Sequence, residues 1–492
     1  MRRMVLALSA LALAGGCDPG DFNSALDKAP VQYISAPSGF GSNVGRTLLP
    51  LAPPADKPKM AARLLFAGTD KPSLAVADFD GDGKAQVQTA TSDDLGALGL
   101  SADQSQGQGG VSSAAWLNGA GATGTILLGI PNFVSPQGRG LPSGRVAFLK
   151  LVGDAGKVDF ESAQIPADGP VTENHFGLAV ASGRVTQTAA DEAIVVSDSV
   201  VHVLGVTTGV AGSTTCTGSL PTPPDLHRSL AVADFVAGGN MEIAVGLPVK
   251  GGTGQVFKVQ YGINPATPTA PAGLFCVSKQ GVPNPAGNPA VGGFGTALVA
   301  VPDMNGDGLA ELVVGAPPNQ VYLLYSDGSA PKVFTKVKLN PISGKPELDP
   351  NTGKPEPDND SEFGQRVALV DIDGDGIKEL AVTALQASVG GTPKAGQVLV
   401  YKLSGPSADG STPIAVVYDS NPIANTGFFG IGLADLEFDS VRVCPSHKDG
   451  GQQDKHLLVV GDDLGIFTFF RFAGIADPTT AITRDDPRCF AQ

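Results

Sequence analysis

The sequence predicts an all-β fold built from repeated small sheets, and three observations carry that prediction. Three short segments share nearly the same letters: Asp78-Phe-Asp80-Gly-Asp82-Gly83, Asp303-Met-Asn305-Gly-Asp307-Gly308 and Asp371-Ile-Asp373-Gly-Asp375-Gly376. Two of them run straight into short apolar segments of β type, Leu312-Val-Val-Gly-Ala-Pro317 and Leu380-Ala-Val-Thr-Ala384. The chain also holds 65 glycines and 39 prolines in 492 residues, which marks a turn-rich protein with little helical periodicity.

The repeated loops carry the clearest chemistry. Oxygen side chains at positions one, three and five, with glycines at four and six, suit a tight loop around a hard cation. An EF-hand would need a bidentate Glu at position twelve and a helix after it. Here the twelfth residues are Thr89, Val314 and Val382, so strand–loop–strand hairpins are predicted instead. Oxygen ligands without His or Cys exclude zinc, and a flexible loop favours calcium over magnesium.

The second and third loops share more than the loop. Phe294-Gly295 and Phe363-Gly364 each precede an apolar strand that enters the loop, and the second copy closes on Gly315-Ala316-Pro317. This pattern resembles the FG-GAP repeat of the seven-bladed β-propeller of integrin α subunits and of many bacterial surface proteins. The resemblance implies calcium ligands at loop positions one, three, five and nine, with the carbonyl of position seven. Carried over, these are Asp303, Asn305, Asp307, Leu309 and Glu311 in the second copy, and Asp371, Asp373, Asp375, Ile377 and Glu379 in the third. The first copy supplies Asp78, Asp80, Asp82, Lys84 and Gln86, and loses a charge at position nine. The third loop, with four carboxylates, is expected to contribute most.

Weaker copies follow from alignment on the second strand. They are Ser113–Pro131, His175–Ser197, Leu226–Pro248 and Phe429–Gly461, which with Leu74–Val87 and the two full copies make seven units. Asp435, Glu437 and Asp439 alternate correctly in the last unit but lack the turn glycines, so no metal is expected there. One blade cannot bury its sheet faces alone, so blades must stack around an axis. By the same resemblance, an N-terminal strand at Val31–Ser35 is expected to close the ring in its last blade. The hairpins then lie on one face, and connections such as 340–361, expected to be solvated loops, lie on the opposite face, where relatives bind partners.

The ends and the charge bound the function. Arg2 and Arg3 precede an apolar run too short to span a bilayer, and Ala14-Gly15-Gly16-Cys17 resembles a bacterial lipobox. Residues 1–16 are read as a lipoprotein signal, 17–30 as a tether from lipidated Cys17, and 31–492 as the propeller. The expected location is a bacterial envelope membrane, periplasmic or surface-exposed. A net charge of −15 argues against nucleic acid as a partner. Cys216, Cys276, Cys444 and Cys489 allow up to two disulfides in three pairings, with Cys216–Cys276 and Cys444–Cys489 preferred as neighbours. No histidine pair or Gly-x-Ser-x-Gly elbow speaks for catalysis, and His175 is read as a surface residue. The expected function is therefore a calcium-stabilised, lipid-anchored binding or adhesion module for a protein or glycan. The rival readings are a polysaccharide- or lipid-processing enzyme on a propeller scaffold, and a purely structural subunit of an envelope complex.

Overall fold

The computed structural model describes residues 30–470 apart from 41–43, 52–59, 81–84, 101–109, 118–123, 135–141, 155–156, 171–173, 187–190, 205–227, 250–253, 264–273, 286–292, 339–346, 373–375, 390, 405–412, 420–427 and 438–455. Cys17, Cys216, Cys444 and Cys489 lie outside these residues, as do the signal and all but the last residue of the tether. Cys276 is placed only as a backbone position in a strand.

Seven antiparallel sheets follow one another along the chain. Blade one holds β2 (Thr47–Leu51), β3 (Met60–Gly68), β4 (Ser73–Asp80) and β5 (Ala85–Thr89). Blade two holds β6 (Ser113–Leu117), β7 (Thr125–Ile130), β8 (Arg145–Asp154) and β9 (Lys157–Asp168). Blade three shows three strands among the described residues, β10 (Ala179–Gly183), β11 (Glu192–Val196) and β12 (Val201–Leu204). Blade four holds β13 (Ser229–Ala233), β14 (Glu242–Leu247), β15 (Gln255–Ile263) and β16 (Leu274–Val282). Blade five holds β17 (Ala297–Val301), β18 (Glu311–Ala316), β19 (Gln320–Leu324) and β20 (Lys332–Thr335). Blade six holds β21 (Phe363–Val370), β22 (Glu379–Ala384), β23 (Gln397–Tyr401) and β24 (Ala415–Val417). Blade seven holds β25 (Gly432–Glu437), β26 (His456–Gly461), β27 (Ile466–Phe470) and, as its outer strand, β1 (Pro30–Ser35).

The first strand of each blade contacts the first strands on either side, so these seven strands surround the axis. β1 pairs antiparallel with β27, from Pro30 opposite Phe470 to Ser35 opposite Ile466. The ring therefore closes through the N-terminal strand, at the place the sequence predicts. A short helix, α1 (Ser92–Ala97), follows blade one and opens on a capping box between Thr91 and Asp94.

The core consists of seven apolar clusters, one for each junction between neighbouring blades. The second strands explain why. β7, β14, β18 and β22 are buried at every position, because each is sandwiched between two neighbouring sheets. In β18, Leu312 and Val314 face blade four while Val313 faces blade six, the period-two alternation of a strand serving two interfaces.

The Phe-Gly and Gly-Ala-Pro letters now have a physical meaning. Phe294 and Phe363 are fully buried, and Phe176 and Phe429 nearly so. The glycine after each phenylalanine has a left-handed φ, +90° at Gly177, +92° at Gly295 and +99° at Gly364 and Gly430. A β-carbon added to Gly315 in β18 would stand 2.2 Å from the carbonyl oxygen of Gly364 in the next blade. The same approach recurs between Gly246 and Gly295, at 2.1 Å, and between Gly129 and Gly177, at 2.3 Å. The signature thus encodes a junction at which backbone meets backbone.

The first repeat copy requires a correction. Asp78 lies in β4, so its loop joins the third and fourth strands of blade one, not the first and second. The true entry to that blade is Phe40, which is buried ahead of β2. Letters alone misled because the Asp-x-Asp-Gly-Asp-Gly pattern suits any tight hairpin turn.

Candidate metal hairpins and the face opposite them

The hairpin between β17 and β18 brings sequence-predicted ligands together. Oxygen atoms of Asp303, Asp307 and Glu311 lie within 4.8 Å of one another. The loop is shaped by its own main chain. Asp303 accepts from the N–H groups of Gly306 at 2.7 Å and Gly308 at 2.8 Å, while Asp307 accepts from Leu309 at 2.8 Å. Asn305 accepts from the Asp307 N–H at 3.1 Å and donates to its carboxylate at 3.2 Å. The two glycine N–H groups hold the Asp303 carboxyl below its ordinary range.

Glu311 behaves differently. It is fully buried, and its Oε2 accepts from the Met304 N–H at 3.1 Å, which leaves Oε1 buried without a hydrogen-bond partner. Burial raises its pKa; the Met304 N–H opposes this, and the charges of Asp303 and Asp307 add to the rise. Among the described residues no ion pair reaches any of the three carboxylates. An orphaned buried oxygen beside two acidic groups, with every donor a hard oxygen, fits a calcium-type ion.

A wider pattern clarifies what Glu311 does. Glu192, Glu242, Glu311 and Glu379 each open the second strand of blades three to six. Each accepts from the main-chain N–H seven residues upstream: Val185 at 3.0 Å, Phe235 at 2.9 Å, Met304 at 3.1 Å and Ile372 at 3.1 Å. Blades three and four keep this clamp although their loops lack the acidic alternation. Glu311 is therefore a hairpin clamp first, with its second oxygen left without a hydrogen-bond partner. In blade four the charge of Lys258 acts on Glu242.

The other two predicted loops differ. In blade six, Asp371 accepts from the Gly376 N–H at 3.0 Å, Glu379 is clamped to Ile372, and Ile377 is exposed. Asp373 and Asp375 lie outside the described residues. Basic groups stand close, with Lys402 Nζ 3.9 Å from Glu379 and His456 Nε2 3.6 Å from Asp371. Among the described residues the convergence is seen in blade five, and two of the four carboxylates of the loop expected to contribute most lie outside them. In blade one the Asp78 carboxylate is taken by Arg63, at 2.6 and 3.1 Å, with both side chains buried. Its register partner Gln86 is exposed on β5. Asp82 and Lys84, and the side chain of Asp80, lie outside the described residues. A bidentate partner satisfies Asp78 without a metal. In blade seven, Asp435 is held by Lys378 at 2.9 Å and by His456 at 3.0 Å.

The opposite end of the ring carries the connections from one blade to the next and the turns between second and third strands. Residues 347–358 are mostly exposed, as expected of a solvated loop, but are ordered into a hydrogen-bonded layer. Lys338 N–H donates to Glu356, Glu356 N–H to Glu347 and Glu347 N–H to Lys338 in the main chain. Lys338 also pairs with Glu356, and Lys336 with Asp358. Leu348 projects there, 58% exposed. His175 is no surface residue: it is half-buried with a left-handed φ of +55°, and Nδ1 lies 3.0 Å from Asp198. It borders a recess at the axis lined by residues from several first strands. Sequence reasoning missed this recess because its residues come from blades far apart in the chain.

A family comparison matches two of the blades. The FG-GAP repeat family matches residues 294–324 and 363–401, each span running from the Phe-Gly entry through the third strand, in blades five and six. No curated protein matches the chain. Among solved structures, the crystal structure of the Saccharomyces cerevisiae Sqt1 is 11% identical, with 84% of this chain and 81% of that chain covered and a TM-score of 0.42. The Dos1 propeller is 9% identical, with 92% and 96% covered and a TM-score of 0.43. The protein is a seven-bladed β-propeller that carries FG-GAP repeats in its fifth and sixth blades.

Proposed function

We propose that this propeller is a calcium-stabilised binding module, anchored to a bacterial envelope membrane through lipid on Cys17, that takes a protein or glycan on the face opposite its hairpins. The observation that supports this reading best is the contrast between the two ends of the ring. One end gathers three uncompensated carboxylates of a single hairpin, a place for a structural cation. The other offers an axial recess, the concave kind of surface on which ligands settle, and separately the hydrogen-bonded layer after β20. Among the described residues no helix is long and apolar enough to cross a membrane, so the proposed attachment rests on Cys17.

Two experiments test this. A glycan array probed with the labelled protein, together with cross-linking in the native envelope, should yield one saccharide class or one envelope protein. Leu348→Asp, on the exposed layer, should weaken that capture without changing the unfolding transition. Capture that is unaltered by Leu348→Asp, or no selective capture, would count against a binding face here. Separately, Cys17→Ser should release the protein to the soluble fraction or leave the precursor uncleaved. A variant that fractionates and migrates like the parent would refute the anchor.

A further inference from the structure

The axial recess is a cavity of about 390 Å³, and three arginines from different blades reach it: Arg46, Arg228 and Arg366. The placement of Arg366 is the most telling. Opposite the glycine of the second strand, blades two, four, five and seven carry Ser113, Ser229, Ala297 and Gly432. Blade six carries Arg366 at this position, its N–H bonded to Thr383 Oγ1 at 2.9 Å. Small residues there let first strands crowd the axis, and packing alone gives no reason for a guanidinium.

Two of the arginines donate to main-chain carbonyls. Arg366 donates from Nε to the Ile431 carbonyl at 3.1 Å and from one terminal nitrogen to the Gln365 carbonyl at 3.0 Å. Arg228 donates to the Asp198 carbonyl across the blade junction. Such bonds fix the direction of a guanidinium. Two carboxylates lie nearby, Asp70 acting on Arg46 and Asp198 acting on Arg228, and the latter is shared with His175. Burial, and after it the charge of Arg46, pull Arg366 down to about 9. Burial also pulls Arg228 to about 10. Arg46 and Arg366 reach one cavity and repel each other there, an arrangement that an anion seated between them would relieve.

We propose that the axial cavity is a binding site for an oxyanion, carboxylate or phosphate, borne by a ligand the size of one sugar residue, with Arg366 and Arg46 as its principal contacts. The planar fork of arginine matches both oxyanions, and the cavity volume is that of a small-ligand site. This proposal rests on the binding-module reading and supplies its ligand chemistry.

The test is calorimetric titration of the full chain, at low salt, with galacturonate, glucose 6-phosphate and glucose. At least one anion should bind, glucose should not, and added salt should weaken the binding. Binding of galacturonate alone assigns the carboxylate as the source, and of glucose 6-phosphate alone the phosphate. Arg366→Gln and Arg46→Gln should each weaken binding at least tenfold. Each should remain folded without ligand, with a cooperative unfolding transition like the parent's. No anion binding at millimolar concentration, equal binding of glucose, or unchanged binding in both folded variants would overturn the proposal. Selective capture in the array and envelope experiment, equal for the parent and Arg366→Gln, would keep the binding module while removing this site.

Discussion

A chain that begins at Ala36, and so lacks β1, should be less stable than one that begins at Pro30 by about 1–2 kcal/mol. The estimate follows from what β1 supplies. It pairs along β27 over five register positions and buries Ile34 in the cluster between blades seven and one. Main-chain hydrogen bonds at roughly 1 kcal/mol each and about 2 kcal/mol for the isoleucine are offset in part by the chain entropy released, about 1 kcal/mol per residue. Its loss also exposes the edge of β27, whose Phe467 and Phe469 are fully buried, so aggregation should accompany destabilisation. Denaturant midpoints and light scattering of the two truncations measure this. Equal midpoints would mean that the ring does not depend on N-terminal closure.

Gly315→Ala should cost about 3–5 kcal/mol, at the upper end of what a single added methyl does in a packed interior. Its backbone has no left-handed φ to strain, so the cost is steric alone. The new carbon would meet the Gly364 carbonyl at 2.2 Å, and a carbonyl in the neighbouring blade cannot turn aside like a flexible side chain. Gly328→Ala is the control. Gly328 has φ +81° but open space around it, so only the left-handed penalty of about 1–2 kcal/mol applies. Chemical denaturation of both variants separates the two causes. If Gly315→Ala costs no more than Gly328→Ala, the close junction is not what the Gly-Ala-Pro glycine is for.

The sequence made the fold legible where chemistry is local. Phe-Gly entries, the second strands after Glu242, Glu311 and Glu379, and the closing strand near Val31–Ser35 all lie where the residues point. Blade one was misread because Asp78 looks like a loop ligand in a linear string. Its real partner, Arg63, lies 15 residues upstream on the adjacent strand. The hairpin clamps of Glu192 and Glu242 could have been found by noting that an acid opens the second strand even where the loop has lost its carboxylates. The arginines at the axis could not have been found so readily. Positions 46, 228 and 366 share no local motif, and only ring closure brings them to one cavity. One trace did exist: Phe176, Phe294 and Phe429 are followed three residues later by Ala179, Ala297 and Gly432, whereas Phe363 is followed by Arg366.

The central claim, that the blade-five hairpin holds calcium and stabilises the ring, is tested most directly by thermal unfolding in calcium and in chelator. With affinity on the order of 10⁻⁴ M and about 1 mM calcium, one site contributes roughly 1.4 kcal/mol. The parent should unfold at a higher temperature in calcium, and Asp307→Asn should remove most of that difference. In chelator the variant should match or exceed the parent, because three crowded carboxylates become two. Identical transitions for the parent in both buffers would show that these hairpins are metal-free turns and would contradict the account.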